Sequence, residues 1–293
     1  MSAALVSPPR SRVTAEQLSE EVAEYFTLGV RVAPGDTVVD VGANIGAFAL
    51  HVAKACDGDL RILAFEPSPD TFAALAANFE DNALLRKTTH RLFHLGLSCS
   101  DRAGEAVSFY DFSRYPTNST FHLAEKRREF EMFFEDLGRR LGGRIRAGLR
   151  SGLGDLVGGS AQRAVSAMFA GAFGWWVARK VMGIREHAVR LDTLARVLER
   201  EAAGGAGGGD RIDLLKIDVE GPELEILRGL DASTWRKVQQ IVLETHDRDG
   251  RLEPIEALLR EQGLGAIREA PQKTGDNGRQ AILVYARRAA VGG

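Results

Sequence analysis

Four short stretches carry residues whose types and spacing could do chemistry. The first is Asp40-Val41-Gly42-Ala43-Asn44-Ile45-Gly46. It follows the β-branched run Val38-Val39 and precedes the apolar stretch Phe48–Ala53, so it has the order strand, glycine turn, helix. Glycines let the backbone approach a ligand closely, and the N-terminus of the following helix offers unpaired N–H groups. The second is Glu66, which ends the apolar strand Ile62-Leu63-Ala64-Phe65 twenty residues after Gly46. A carboxylate at that place can accept both hydroxyls of a ribose. The third and fourth are Asp218, after the run Ile212–Ile217, and Glu244 with His246, which close Ile241–His246.

Two cofactor classes share the strand–glycine–helix plan. A dinucleotide site prefers Gly-x-Gly-x-x-Gly around a pyrophosphate. Here the spacing is Gly-x-x-x-Gly, and Asp40 stands just before the turn. A carboxylate there would repel a pyrophosphate but suits a cationic ligand with an amino group, such as S-adenosylmethionine. Asp40, Gly42, Asn44, Gly46 and Glu66 are therefore the candidate cofactor-binding residues. Ser98 joins them as the expected end of a third strand within Arg91–Ser98, where it would flank an adenine.

The elements that must position these groups follow from periodicity. Thr14-Ala15-Glu16-Gln17 is a capping box, and a helix through Leu18, Val22 and Tyr25 follows it. Pro34-Gly35-Asp36 turns the chain into the first core strand. Pro67-Ser68-Pro69-Asp70 caps a helix with the face Phe72, Leu75, Ala76 and Phe79. Further strands are expected over Ala106–Phe112, Ile212–Val219, Ile241–His246 and Gln280–Ala286, with helices through Leu224–Leu227 and Pro254–Gln262. Strands alternating with helices predict an α/β fold: a mostly parallel sheet with helices on both faces. In such a sheet ligands bind at the carboxyl ends of the strands, where all the candidate residues fall.

The segments Val39–Gly46, Phe65–Ser68, Arg190–Leu194, Lys216–Glu223 and Val242–His246, in this order, resemble the FkbM family of S-adenosylmethionine-dependent methyltransferases. The resemblance covers about 36–110 and 187–286. It implies a class I, Rossmann-like methyltransferase fold and O-methylation in natural-product or sugar-derivative biosynthesis. It also implies cofactor contacts at Asp40, Gly42, Asn44, Gly46 and Glu66, with an active-site edge at Asp218 and Glu220. The expected acceptor is a hydroxyl on a small molecule or a polyketide-, peptide- or sugar-type intermediate. A nicotinamide-dependent oxidoreductase and a non-catalytic, cofactor-binding regulatory scaffold are the alternatives.

Methyl transfer to oxygen needs alignment and a base for the hydroxyl proton. His246 is the candidate base, since a neutral imidazole can act near pH 7. Glu244, two residues back on the same strand, shares its face. Asp218 would position the hydroxyl or the amino end of the cofactor. Asp218, Glu244 and His246 are also ligand types for a divalent cation, but no tight spacing demands one, so no metal is expected. Asp192 reads as a helix cap or strand-end turn.

Three regions lie in this scheme: a lead-in and helix over 1–35, a core over 36–110 and 187–293, and an insertion over 111–186. Residues 1–12 read as a disordered lead-in, with Arg10 and Arg12 but no apolar segment of a signal peptide. The insertion carries ten Lys/Arg against two Asp/Glu between Arg139 and Arg190, together with Trp175 and Trp176. It is expected to form a helical cap that walls the acceptor pocket, the tryptophans facing the substrate. Its positive charge would suit an acidic carrier protein or an anionic, carrier-bound acceptor. The chain has 293 residues, a formal charge of −2 and two cysteines without metal-ligand spacing. Nucleic acid is therefore not expected as a partner, and a reducing cytoplasm is the expected location. The longest uncharged run, Ala164–Ala178, is too short to span a bilayer.

Overall fold

A computed structural model describes residues 5–128, 130, 172–204, 211–246, 250–265, 268–271 and 281–288. Contacts divide the chain into two compact units, Met1–Phe121 with Glu186–Gly293, and His122–Arg185.

The first unit is built on a seven-stranded sheet. Helix α1 (Ala15–Thr27) starts on the expected capping box, with Gln17 N donating to Thr14 Oγ1 and Thr14 N donating to Gln17 Oε1. Strand β1 (Thr37–Val41) leads through the glycine turn to α2 (Ala47–Ala55). Then come β2 (Arg61–Phe65), α3 (Pro69–Asp81) capped by Ser68, and β3 (Thr89–Phe93). After β3 the chain forms a separate three-stranded sheet. It consists of β4 (Gly96–Leu97), β5 (Ala106–Phe112) and β6 (Ile184–Asp192), in the order β4-β6-β5. Helix α4 (Ala172–Met182) precedes β6, and α5 (Leu194–Ala203) follows it. The main sheet resumes with β7 (Leu214–Ile217), α6 (Glu223–Arg228), α7 (Ala232–Lys237), β8 (Gln240–His246) and α8 (Leu252–Glu261). It closes with β9 (Arg268–Pro271) and β10 (Ala281–Arg287).

Strand order in the main sheet is β3-β2-β1-β7-β8-β10-β9. The first five are parallel neighbours, and β10 runs antiparallel to both β8 and β9. Because side chains alternate across a strand, each strand feeds two cores. Val38, Ile62, Leu214 and Val242 pack with α1, α2 and α3 on one face. Val39, Leu63, Leu215 and Leu243 pack with α5 to α8 on the other. Burial on both faces is why these strands read as continuous apolar runs. This is the expected α/β fold, a mostly parallel sheet with helices on both faces.

Two placements differ from the sequence reading. The third core strand ends at Phe93, and Ser98 lies beyond β4 in the three-stranded sheet. The expected span Arg91–Ser98 thus holds pieces of two sheets, divided where the chain breaks at His94-Leu95. The segment Ile184–Asp192 is a nine-residue strand that the sequence reading does not include, and Asp192 stands at its end, directly before the helix cap Thr193. Asp192 accepts from Thr193 N and pairs with Arg200.

In the second unit, α4 carries Trp175 half-buried and Trp176 exposed. Trp175 lies 6.4 Å from Phe130, with the Arg127 guanidinium over its ring. Most of the expected cap, including Arg144, Arg146 and Arg150, lies outside the described residues.

Candidate active site

The chain runs outward from β1 to β2 and β3 and then returns to the other side of β1 as β7. Strand order therefore reverses between β1 and β7, and the crevice at their carboxyl ends is the ligand position of an open α/β sheet.

The turn after β1 is fixed by its neighbours. Gly42 N and Ala43 N both donate to Phe65 O, at 3.0 and 2.9 Å. Gly42 has φ +76°, and a Cβ there would lie 1.8 Å from Asp218 O, so no side chain fits. Gly46, with φ +90°, caps α2. Asn44 also takes a left-handed conformation, and its N–H donates to Glu66 Oε2 at 2.9 Å. Ser68 N donates to Glu66 Oε1 at the same distance. These two bonds fix the Glu66 carboxylate and leave a lone pair on each oxygen for a further donor. Burial pushes the Glu66 carboxyl up to about 7, against the two backbone donors and Lys216, which lower it.

Asp40 is wholly buried. Its Oδ1 lies 3.1 Å from Lys216 Nζ as an ion pair, and neither oxygen has a hydrogen-bond partner among the described residues. Lys216 Nζ also donates to Gly42 O at 2.7 Å and lies 3.7 Å from Asp218 Oδ2. Burial alone would push this ammonium down; Asp40 and Asp218 more than offset that and raise it above its ordinary value. From the sequence, Lys216 is expected only as a member of the core strand Ile212–Val219. A lysine inside Leu214-Leu215-Lys216-Ile217 was the available signal, because a buried lysine needs a paired charge.

Across the crevice, the ends of β7 and β8 bring together Asp218, Glu220, Glu244 and His246. His246 Nε2 lies 3.5 Å from Glu220 Oε2. Ligand atoms of Glu220, Glu244 and His246 all lie within 4.8 Å of one another. Glu220 has φ +56°, with Thr120 Oγ1 donating to its carbonyl at 3.0 Å. Helix α1 adds two groups that the sequence reading did not place here. Tyr25 Oη donates to Asp218 Oδ2 at 2.9 Å and to Glu244 Oε2 at 3.4 Å. Glu21 is pushed up to about 7 by burial and by the charges of Asp218, Glu220 and Glu24. Glu244 is raised well above its ordinary value by burial, then by Asp218 and Glu220. The edge thus combines one imidazole, one phenol and several carboxyls, a set able to accept and hold a proton from a hydroxyl.

Residues 40–141 and 175–264 match the methyltransferase FkbM domain. The chain belongs to the FkbM methyltransferase family. The methyltransferase sdnD of Sordaria araneosa is 31% identical over 95% of this chain and 92% of its own length. The 31-O-demethyl-FK506 methyltransferase FkbM of Streptomyces tacrolimicus is 34% identical over 84% of this chain and 78% of its own. The AMB antimetabolite synthetase AmbE of Pseudomonas aeruginosa is 32% identical over 82% of this chain but only 10% of its own length.

FkbM-family membership favours a methyltransferase over the nicotinamide-dependent oxidoreductase. The family match spans Asp40, Gly42, Asn44, Gly46, Glu66, Asp218, Glu220, Glu244 and His246, all of which sit around the β1–β7 crevice or its β2 and β8 neighbours. Ser98 sits elsewhere. It follows β4, and its Oγ donates to Glu225 Oε2 at 3.4 Å, so its expected place at the end of the third core strand is corrected. The residue that follows that strand is His94. Trp175 and Trp176 belong to the other compact unit. No helix among the described residues is long and apolar enough to cross a membrane.

Proposed function

We propose that this FkbM-family methyltransferase uses S-adenosylmethionine to methylate a hydroxyl of a small molecule or natural-product intermediate. The observation that carries the reading is the Glu66 carboxylate, fixed by Asn44 N and Ser68 N beside the Gly42–Gly46 turn. Its two remaining lone pairs match the paired hydroxyls of a ribose. The N-terminus of α2 offers further backbone N–H groups, and the partly exposed carboxylate of Asp218 favours a cationic cofactor; Asp40, wholly buried against Lys216, offers no surface to a ligand, which corrects its expected direct contact. When bound, S-adenosylmethionine supplies an electrophilic methyl group on a sulfonium.

The remaining work falls to the residues of the β7–β8 edge. Asp218, restrained by Tyr25, positions the acceptor hydroxyl. His246 takes its proton, and Glu220 at 3.5 Å stabilises the imidazolium that forms. Support for oxygen as the acceptor atom comes from the relative named as a 31-O-demethyl-FK506 methyltransferase. Similarity to a segment of an antimetabolite synthetase supports a carrier-bound acceptor, and the basic stretch Arg139–Arg190 suits an acidic carrier protein. Trp175 and Trp176 serve acceptor use in this reading, and the enzyme works in the cytoplasm.

Calorimetry with S-adenosylmethionine and with NAD tests the cofactor: binding of the first alone is expected, and binding of NAD alone would reject the reading. Mass spectrometry of free and carrier-tethered hydroxyl compounds tests the acceptor, a gain of 14 Da being expected on the acceptor for each methyl transferred. Cofactor binding without turnover on any acceptor would favour the regulatory scaffold. A second reading, in place of proton transfer by His246, puts a divalent cation on Glu220, Glu244 and His246, whose ligand atoms converge.

A further inference from the structure

We propose that Lys216 is a positioning residue: its ammonium ties the cofactor turn after β1 to the Asp218 loop after β7, so that both sides of the crevice are set together. The proposal rests on the cofactor reading above.

Lys216 sits at the strand-order reversal, one residue before the end of β7, and pairs in register with Asp40 of β1. Its side chain is almost fully buried. The ammonium donates to Gly42 O at 2.7 Å, the carbonyl at the apex of the turn, and weakly to Val41 O at 3.4 Å. It meets Asp40 Oδ1 at 3.1 Å and Asp218 Oδ2 at 3.7 Å. Its charge also lies 5.9 Å from the ring centre of Phe48 on α2. One cation therefore touches the strand, the turn and the opposing loop. Backbone packing makes the link tight, because Gly42 abuts Asp218 O with no room for a Cβ. A rotation of either loop would break the Gly42 bond or move Asp218.

A simpler role would be to neutralise Asp40 inside the protein. The two roles separate experimentally, since a neutral isostere of the pair satisfies only the second. Removing Lys216 alone leaves a buried carboxylate unpaired and is destabilising. Removing both charges leaves no unpaired buried ion, but the Gly42 carbonyl loses its donor and Asp218 its neighbouring cation.

The test compares D40N, K216M and K216M/D40N by thermal unfolding and by calorimetry with S-adenosylhomocysteine. K216M should lose both stability and affinity. K216M/D40N should recover the melting temperature of D40N while binding S-adenosylhomocysteine at least about tenfold more weakly than D40N. Equal affinity in D40N and the double variant would overturn the proposal and leave Lys216 as a counter-ion. Hydrogen exchange gives a readout free of ligand: peptides over 41–46 and 218–221 should exchange faster together in the double variant, while 241–246 stays protected. Unchanged exchange in both loops would also overturn it. K216R, which keeps a cation and donors, guards against a misfolded double variant and should bind more tightly than K216M; equal affinities would count against the proposal. Absence of binding to the wild-type chain would reject the cofactor reading itself and this inference with it.

Discussion

Tyr25 Oη donates to Asp218 Oδ2 at 2.9 Å across 193 residues of sequence. An N-terminal helix thereby holds the carboxylate that faces the proposed acceptor. The same hydroxyl reaches Glu244 Oε2 at 3.4 Å, and the ring packs edge-on against Phe48 at 5.9 Å. Tyr25→Phe keeps that packing and removes only the hydroxyl. The variant should lose about 1 kcal/mol of stability and melt a few degrees lower. Turnover should fall by roughly tenfold with little change in cofactor affinity, as a positioning role for Asp218 requires. Steady-state kinetics beside calorimetry check this, and an unchanged kcat would remove Tyr25 from the site.

Glu66 anchors the second prediction. Glu66→Ala removes an acceptor for two charge-assisted hydrogen bonds and should weaken S-adenosylmethionine binding by about tenfold or more, with the fold intact. The wild-type affinity should also depend on pH. Burial holds the Glu66 carboxyl up to about 7, so below that pH the ligand-free chain carries a proton there. Ribose hydroxyls prefer the ionised acceptor, so affinity should rise as pH increases through about 7. A Kd that is flat from pH 6 to pH 8 would contradict the assignment.

His246→Ala should lower turnover by roughly a hundredfold while leaving cofactor affinity nearly unchanged. Glu220→Gln removes the carboxylate 3.5 Å from the ring and should lower kcat less, because the imidazole itself remains. Near-normal turnover in the histidine variant would move the proton to another group at this edge.

Stability should depend on pH in an unusual direction. Glu21, Glu66 and Glu223 are each raised to about 7 from an ordinary 4.5, burial being the largest cause in every case. Between those values the folded chain binds protons that the unfolded chain has released. This contribution is complete below about 4.5 and is lost as pH rises through about 7. The ligand-free protein should therefore melt higher at pH 6 than at pH 8. Glu223 Oε1 accepts from Gly221 N at 2.7 Å, a bond that a glutamine oxygen can replace. Glu223→Gln should keep the fold and flatten part of the slope; an unaltered slope would exclude Glu223 as a source.

A cation at Glu220, Glu244 and His246 makes its own prediction. Chelator treatment should lower turnover, magnesium or manganese should restore it, and manganese should give an ordered-site paramagnetic resonance signal that His246→Ala abolishes. Full activity after exhaustive chelation, with no manganese bound, would leave these residues to proton transfer alone.

The elements that depend on local chemistry were readable in order. Thr14 and Ser68 cap helices because their hydroxyls lie three residues ahead of an unpaired N–H. The strands β1, β2, β7 and β8 announced themselves as apolar runs because each is buried on both faces. Gly42 and Gly46 marked the turn because its backbone lies at positive φ. The split after β3 was not readable, since both Arg91–Phe93 and Gly96–Leu97 make acceptable strands, and only their partners assign them to different sheets.

What the sequence by itself determined is the parallel α/β framework and the set of groups at its strand ends, because capping, period and burial are local properties of the chain. Tertiary structure alone decided which of those groups act on one another. Lys216 meets Gly42 and Asp40 because β7 pairs beside β1, and Tyr25 meets Asp218 because α1 packs over that edge. Strand order brings residues almost two hundred positions apart within hydrogen-bonding distance, and the periodicity of each segment carries no term for the identity of its neighbour.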